Sequence, residues 1–149
     1  LLCVGRPGRL LARPIAEYEA RTRRYFDLEV VEVRAGRGTP DQVREREGAA
    51  LLEKLPERCR SYALTRAGAP VGSRELADEL RDVATYGPET VAWLIGGAFG
   101  LSAAALAAAD RRVSLSGLTL PHELARLVLA EQIYRAGTIL RGEPYHKGS

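Results

Sequence analysis

The sequence is poor in the residues that bind metals or form cross-links. Its 149 residues include two cysteines, two histidines and no methionine. Cys3 and Cys59 are far apart and form no CxxC pair, so a structural zinc site is effectively excluded and we expect no metal. Cys3 lies in an apolar run, which favours a buried thiol over a redox role.

Long apolar segments are lacking as well. No apolar run approaches the roughly 20 residues that a membrane span needs, and no signal peptide is visible. We therefore expect a cytoplasmic protein without a membrane partner. Hydrophobic residues make up 46% of the chain, enough to form the buried core of a single domain over residues 1–149.

The chain has little net charge, at +3 from 22 basic and 19 acidic residues. This is a weak indication of nucleic-acid binding. Basic residues are nevertheless concentrated near the two ends of the chain. They are Arg6, Arg9, Arg13, Arg21, Arg23, Arg24, Arg34 and Arg37 in the first quarter, and Arg135, Arg141 and Lys147 near the end. A solvated surface of salt-bridged arginines accounts for this clustering equally well.

Strand-like and helix-like patterns alternate along the chain. We predict strands over residues 1–4, 28–33, 61–65, 91–95 and 113–115, with helices between them and after the last. Asp41, Ser73 and Ser102 are predicted N-caps, residues 68–72 a turn, and Pro121 the start of the last helix. That helix is expected to turn Leu124, Leu127 and Val128 inward.

This alternation predicts an α/β domain with a mainly parallel sheet. Ligands of such sheets bind beyond the carboxyl ends of the strands. We therefore expect the regions of Thr65, Gly97 and Ser116 to share one rim of the sheet.

A glycine-rich loop follows the predicted fourth strand, with the sequence IGGAFG over residues 95–100. It fails the GxGxxG pattern because Ile95 stands at the first glycine position, and no GK[ST] follows, so a phosphate-binding loop is disfavoured. Gly96 and Gly97 would let a ligand such as an adenine ring touch the backbone. A tight turn between strand and helix explains the two glycines equally well.

A second loop, SLSGLTLPH over residues 114–122, alternates hydroxyl groups with leucines. Its leucines are suited to sandwich a flat apolar ring, and backbone groups of Ser116, Leu118 and Leu120 to bond the edge of that ring. The loop therefore favours a ligand pocket at the rim of the sheet.

These two loops, together with PYHK at residues 144–147, resemble the RlmH family of SPOUT-class ribosomal RNA methyltransferases. The similarity is strong over residues 91–147, whereas VGRPGR at residues 4–9 is compatible but less specific. Two mild departures are the pair Ala98 and Phe99, which is more polar in some members, and Lys147, which keeps the charge of an arginine but loses its bidentate donors.

The resemblance implies a fold, a reaction and an assembly. The fold is a SPOUT domain with a deep C-terminal trefoil knot, its knotted cofactor-binding part covering about residues 91–149. The reaction is methylation of N3 of pseudouridine 1915 in 23S rRNA of the large ribosomal subunit, with S-adenosyl-L-methionine as cofactor. The assembly is a homodimer in which the partner completes each active site.

The resemblance also assigns residues by matching position. The cofactor is expected to contact Leu64, Thr65, Gly96, Gly97, Ser116, Gly117, Leu118, Thr119, Leu120 and Pro121. Catalytic or substrate-side positions are His122, Tyr145 and His146, and Arg6, Arg141 and Lys147 are expected to contact RNA. His122 is a candidate base, with a capping or packing role as its alternative, and the tail residues either bind RNA or form a frayed terminus.

Two other function classes remain open from the sequence. The arginine-rich first quarter suits a non-catalytic RNA-binding domain, and the α/β pattern suits a nucleotide-dependent enzyme with a Rossmann-like site. Only the methyltransferase is expected to bind S-adenosylhomocysteine tightly and to ignore NAD.

Overall fold

The computed structural model describes residues 1–88 and 90–146, without the side chain of His146. Within these residues, five strands alternate with five α-helices and a short 3-10 helix, Pro144–His146, follows. The strands are β1 (Leu2–Val4), β2 (Val31–Val33), β3 (Arg60–Pro70), β4 (Val91–Ile95) and β5 (Arg111–Ser114). The helices are α1 (Ala12–Thr22), α2 (Pro40–Glu53), α3 (Ser73–Tyr86), α4 (Ala103–Ala108) and α5 (His122–Leu140).

The strands form one sheet in the order β2-β1-β4-β3-β5, and each neighbouring pair is parallel. Leu94 of central β4 lies opposite Leu2 on one side and Ala63 on the other. The predicted α/β class with a parallel sheet is confirmed. Because the described strands run in one direction, their carboxyl ends meet at one edge, where the loops that follow them converge.

Both faces of the sheet are buried. Cys3 and Trp93 face a cluster that includes Leu129 of α5, and Leu2 and Leu94 face a second cluster with α2 and α4. The near-continuous apolar run of β4 is typical of a strand covered on both sides. Cys3 is buried as predicted, and burial raises the pKa of its thiol to about 11.

Helix starts follow local capping chemistry. Ser102 accepts a hydrogen bond from the N–H of Ala105 at 3.1 Å, which confirms it as the N-cap of α4. The predicted cap Asp41 is wrong, because Thr39 and Gln42 form a capping box one turn apart and Pro40 takes the first helical position. Ser73 is likewise the first helical residue of α3, behind an N-cap at Gly72.

Strand β3 is longer than the sequence predicts, and the expected turn over residues 68–72 is wrong. Leu64 and Ala69 both lie opposite Val113, so residues 65–68 bulge out of the strand. A Cβ atom on Gly68 would lie 2.5 Å from the backbone nitrogen of Val113. The glycine therefore serves a close approach of two strands, and the bulge carries Thr65 and Arg66 to the carboxyl edge.

The inward face of α5 differs from the prediction. Leu124, Leu127 and Val128 are only half-buried, whereas Arg126 and Leu129 are buried. The guanidinium of Arg126 donates to the carboxylates of two glutamates, Glu19 at 2.8 Å and Glu32 at 2.7 Å. Ion pairing thus puts a charged residue on the buried face, which a search for apolar periodicity overlooks.

Strand order alone does not establish how the chain threads, so the trefoil knot stays a prediction. In the part of the chain that the structure describes, no helix combines the length and apolar character needed to cross a membrane.

Candidate functional site

A cavity of about 440 Å³ opens at the carboxyl ends of β3, β4 and β5. This volume lies within the range of small-molecule sites, and the sheet edge is where ligands of parallel sheets bind. Its wall is formed by Leu64, Thr65, Arg66, Ile95, Gly96, Gly97, Ala98, Phe99, Gly100, Leu101, Ser114, Leu115, Ser116, Leu118, Thr119, Leu120, His122 and Ala125.

Most of the predicted cofactor positions lie in this wall. They are Leu64, Thr65, Gly96, Gly97, Ser116, Leu118, Thr119 and Leu120. Gly117 and Pro121 do not line the cavity. The expectation that Thr65, Gly97 and Ser116 share one rim is confirmed.

The glycine loop is a tight turn and a cavity wall at once. Gly96 is buried, and a Cβ atom on it would lie 2.6 Å from the carbonyl carbon of Gly100. Gly97 accepts a hydrogen bond from the N–H of Gly100 at 3.0 Å, and Gly100 has φ +79°. Closure of the turn therefore requires glycine, and the same closure turns Phe99, 45% exposed, toward the ligand space.

The two serine hydroxyl groups of the second loop form hydrogen bonds within that loop. Ser114 donates to the carbonyl of Ser116 at 2.8 Å, and the hydroxyl of Ser116 accepts the N–H of Leu118 at 3.0 Å. The N–H of Leu118 is therefore already used within the loop, and the expectation that backbone groups of Ser116, Leu118 and Leu120 bond a ligand stays a prediction. The side chain of Leu118 is 74% exposed, and the loop offers the cavity mainly apolar surface.

Arg66 and His122 supply the cationic and imidazole side chains of the cavity wall. Arg66 is the one charged residue in the described wall, and that wall contains no carboxylate. The His122 side chain is 32% exposed, and its Nε2 lies 3.9 Å from a carboxylate oxygen of Glu123. Sequence reasoning missed Arg66, because the signal that places it there is a bulge within β3 and not a motif.

The loop after β1 lies next to His122. Glu123, in the first turn of α5, accepts the N–H of Gly8 at 2.9 Å. Arg6 and His122 line a common small pocket, and the Arg6 side chain is 90% exposed, with its Nε 3.5 Å from Glu32. The structure thus brings Arg6, a predicted RNA contact, close to the candidate base.

The tail residue Tyr145 lies elsewhere. Its ring packs edge-on against Tyr134 at 4.7 Å between centroids, and its hydroxyl donates to Glu131 at 3.1 Å and lies 3.3 Å from the hydroxyl of Tyr18. Burial and then these hydrogen bonds raise the pKa of Tyr145. Glu131 follows His122 by nine residues, roughly 13 Å along the helix axis. Within one chain, Tyr145 and His122 are therefore not brought together.

The remaining predicted positions are not part of the cavity. Arg141 packs its guanidinium over the ring of Tyr25, 4.8 Å from the centroid. Lys147 lies outside the described residues, and so does the side chain of His146. Over the described range, no group of three or more His, Cys, Asp and Glu side chains is arranged to hold a metal.

Comparison with known proteins adds family evidence. The family model described as predicted SPOUT methyltransferase matches residues 1–146. A protein of Gemmatimonas aurantiaca named ribosomal RNA large subunit methyltransferase H is 46% identical over 151 residues, covering 99% of this chain and 97% of its own. A protein of Listeria monocytogenes serotype 4b with the same name is 45% identical over 144 residues, covering 92% of this chain and 91% of its own.

Solved structures share the fold. A probable methyltransferase from Bordetella pertussis Tohama I superposes with a TM-score of 0.57 at 20% identity, over 91% of this chain and 94% of its own. A putative methylase family protein from Neisseria gonorrhoeae superposes with a TM-score of 0.55 at 21% identity, over 89% of this chain and 80% of its own. At these identities the likeness concerns the fold alone.

Proposed function

The chain belongs to the SPOUT methyltransferase family, and we propose that it methylates N3 of pseudouridine 1915 in 23S rRNA of the large ribosomal subunit, with S-adenosyl-L-methionine as donor. The observation that carries the proposal is the cavity at the carboxyl edge of the sheet, enclosed by the glycine loop and the hydroxyl-rich loop, with His122 at its rim. The names of the relatives, ribosomal RNA large subunit methyltransferase H, support the rRNA substrate. That substrate implies a cytoplasmic protein.

The cavity wall suits this donor. Leu115, Leu118 and Leu120 offer flat apolar surface to an adenine ring. Arg66 offers a cation to the carboxylate at the methionine end of the donor. Because Ile95 precedes the glycines and no GK[ST] follows them, the wall does not resemble a pyrophosphate site.

The proposed chemistry needs alignment and one proton transfer. When bound, the donor supplies a methyl group activated by a positively charged sulfur for in-line displacement. The two loops hold the reacting atoms in line, and their leucines exclude water. N3 of the pseudouridine loses a proton as its bond to the methyl carbon forms, and His122 is positioned at the rim to accept that proton.

A second copy of the chain completes the proposed site. Cavity and tail are separated within one chain, as the packing of Tyr145 on α5 shows. Meanwhile Leu124, Leu127 and Val128 give α5 a half-exposed apolar stripe, and Leu118 is 74% exposed. We infer a homodimer that covers this apolar surface and brings the tail of one copy to the cavity of the other.

Calorimetry with four ligands tests the cofactor assignment. S-adenosylmethionine and S-adenosylhomocysteine are expected to bind, whereas NAD and ATP are not. Binding of NAD without S-adenosylhomocysteine would favour a nucleotide-dependent enzyme, and binding of RNA alone would favour a non-catalytic RNA-binding domain.

The substrate assignment needs a separate experiment. Ribosomes lacking the modification are incubated with the protein and the donor, and the product is mapped by mass spectrometry. We expect one added methyl group at the proposed pseudouridine. Methylation at another nucleotide would refute the assigned position and leave the family unaffected.

A further inference from the structure

One buried carboxylate, that of Glu47 on α2, has an unexplained free oxygen. The residue is 4% exposed, and its Oε1 accepts the N–H of Gly36 at 2.8 Å. Its Oε2 is buried, and within the described part of the chain it has neither a hydrogen-bond partner nor an ion pair. A buried acceptor without a donor costs stability, so the free oxygen needs an explanation.

The free oxygen lies directly behind the cavity wall. A Cβ atom on Gly97 would lie 2.7 Å from Oε2 of Glu47 and 3.0 Å from a methyl carbon of Val4. The carboxylate fits there only because Gly97 has no side chain. Gly97 itself lines the cavity, so a single backbone segment separates the carboxylate from a bound ligand.

The charge of the proposed cofactor changes during the reaction. The donor carries a sulfonium, an ammonium and a carboxylate, one net positive charge, whereas the thioether product has lost the sulfonium charge and is neutral overall. The described wall supplies one cation, Arg66, and no carboxylate. Glu47 is therefore the negative charge best placed to distinguish donor from product.

Burial makes this charge effective. The other nearby carboxylate, Glu123, is 28% exposed and hydrogen-bonded to Gly8, so water and salt screen it. Glu47 is enclosed by protein, where the effective dielectric is lower and an electric field extends further. A negative charge in that position stabilises a cation bound in the cavity, on the other side of Gly97, without contacting it.

We propose that Glu47 is a positioning residue that acts as the buried counter-charge of the cofactor cavity and makes it bind the sulfonium donor more tightly than the neutral thioether product. The proposal rests on the proposed cofactor. A preference for the donor lets the site exchange bound product for donor. Because Gly97 has no side chain, only backbone separates the Glu47 carboxylate from the ligand.

Glu47→Gln tests the proposal, because it removes the charge and keeps the oxygen that bonds Gly36. The dissociation constants of S-adenosylmethionine, S-adenosylhomocysteine and sinefungin, which has an amine-bearing carbon in place of the sulfonium, are measured by calorimetry. We expect the dissociation constants of the two cationic ligands to rise about tenfold and that of the neutral product to change by less than about twofold. Glu45→Gln, an exposed position on the same helix, is the matched control and leaves all three constants unchanged.

Equal weakening of all three ligands would overturn the proposal, because it would show that Glu47 only braces the loops, and so would unchanged constants. If the wild-type protein binds none of the ligands, the proposed function itself fails. Should Glu47→Gln not fold, the wild-type protein still decides, through the dissociation constant of the product divided by that of the donor. A quotient above one that stays constant from about 0.05 to 0.5 M salt supports a buried charge, and a quotient of one, or one that falls toward one as salt is added, refutes it.

Discussion

Replacing Gly96 with alanine tests whether the closed glycine loop is what shapes the cavity. The added Cβ atom would lie 2.6 Å from the carbonyl carbon of Gly100, and 2.8 Å from both its oxygen and the nitrogen of Leu101. These are backbone atoms, so no side-chain rotation relieves the overlap and the loop must open. Overpacking of this kind costs about 1–3 kcal/mol of unfolding free energy. For a domain of this size, that is a fall in melting temperature of about 2–12 °C.

The opened loop also moves the cavity wall. Ala98, Phe99 and Gly100 all lie in the segment that the overlap displaces, and all three line the cavity. Because a bound donor would lose its contacts with the displaced wall, we expect S-adenosylmethionine to bind at least about tenfold more weakly to Gly96→Ala, a loss of about 1.4 kcal/mol of binding free energy. Differential scanning calorimetry measures the first effect and titration calorimetry the second.

Gly117→Ala is the matched control. No atom lies within 4 Å of the Cβ position of Gly117, its φ is not positive, and it does not line the cavity. We expect its melting temperature and donor affinity to match those of the wild type. If Gly96→Ala also matched the wild type, the reasoning from loop closure would be refuted. If Gly117→Ala lost the donor, the cofactor role that the resemblance assigns to Gly117 would be supported.

Three further predictions concern the reaction and the fold. His122→Ala is expected to reduce methyl transfer sharply while the donor affinity stays near that of the wild type, and full turnover would exclude His122 as the base. Deletion of residues 145–149 is expected to abolish activity without unfolding the domain, as circular dichroism and a transfer assay would show; an active truncated protein would make the tail dispensable. Asp110 accepts the N–H and O–H of Ser61 at 2.7 and 2.9 Å, which lowers the pKa of its carboxyl below the ordinary 3.8. Asp110→Asn should therefore melt below the wild type above pH 3.8, and the difference should shrink as the pH falls through the lowered pKa; a difference independent of pH would contradict this.

Periodicity predicts the parallel sheet, but it misses the bulged extension of β3 and fails where polar contacts decide the packing. The bounds of β4 and the cap of α4 follow from an apolar run and from a serine before an alanine-rich segment. The buried face of α5 does not, because Arg126 reaches its partners Glu19 and Glu32 on segments distant in sequence. An arginine that pairs over such separations is indistinguishable from a surface arginine in the sequence.

The candidate site, like the fold, is only partly predictable from the sequence. Both loops could be placed at one rim because the carboxyl ends of parallel strands must meet. Arg66 and Glu47 could not, since one depends on a bulge in β3 and the other on the missing side chain of Gly97. The use of the N–H of Leu118 within its own loop was equally hidden, because a hydroxyl two residues away looks the same in sequence whether it bonds the chain or a ligand.

Subunit mixing decides whether cavity and tail act within one chain or across a dimer. The His122→Ala chain keeps its tail, and the chain that lacks residues 145–149 keeps His122, so each is expected to be inactive alone. If the site combines the cavity of one copy with the tail of the other, an exchanged equimolar mixture contains one intact site in each mixed dimer and regains about a quarter of wild-type activity. If cavity and tail of the same chain cooperate, neither copy is complete in any dimer and the mixture stays inactive. The packing of Tyr145 on Glu131 and Tyr134, roughly 13 Å along α5 from His122, favours the first outcome.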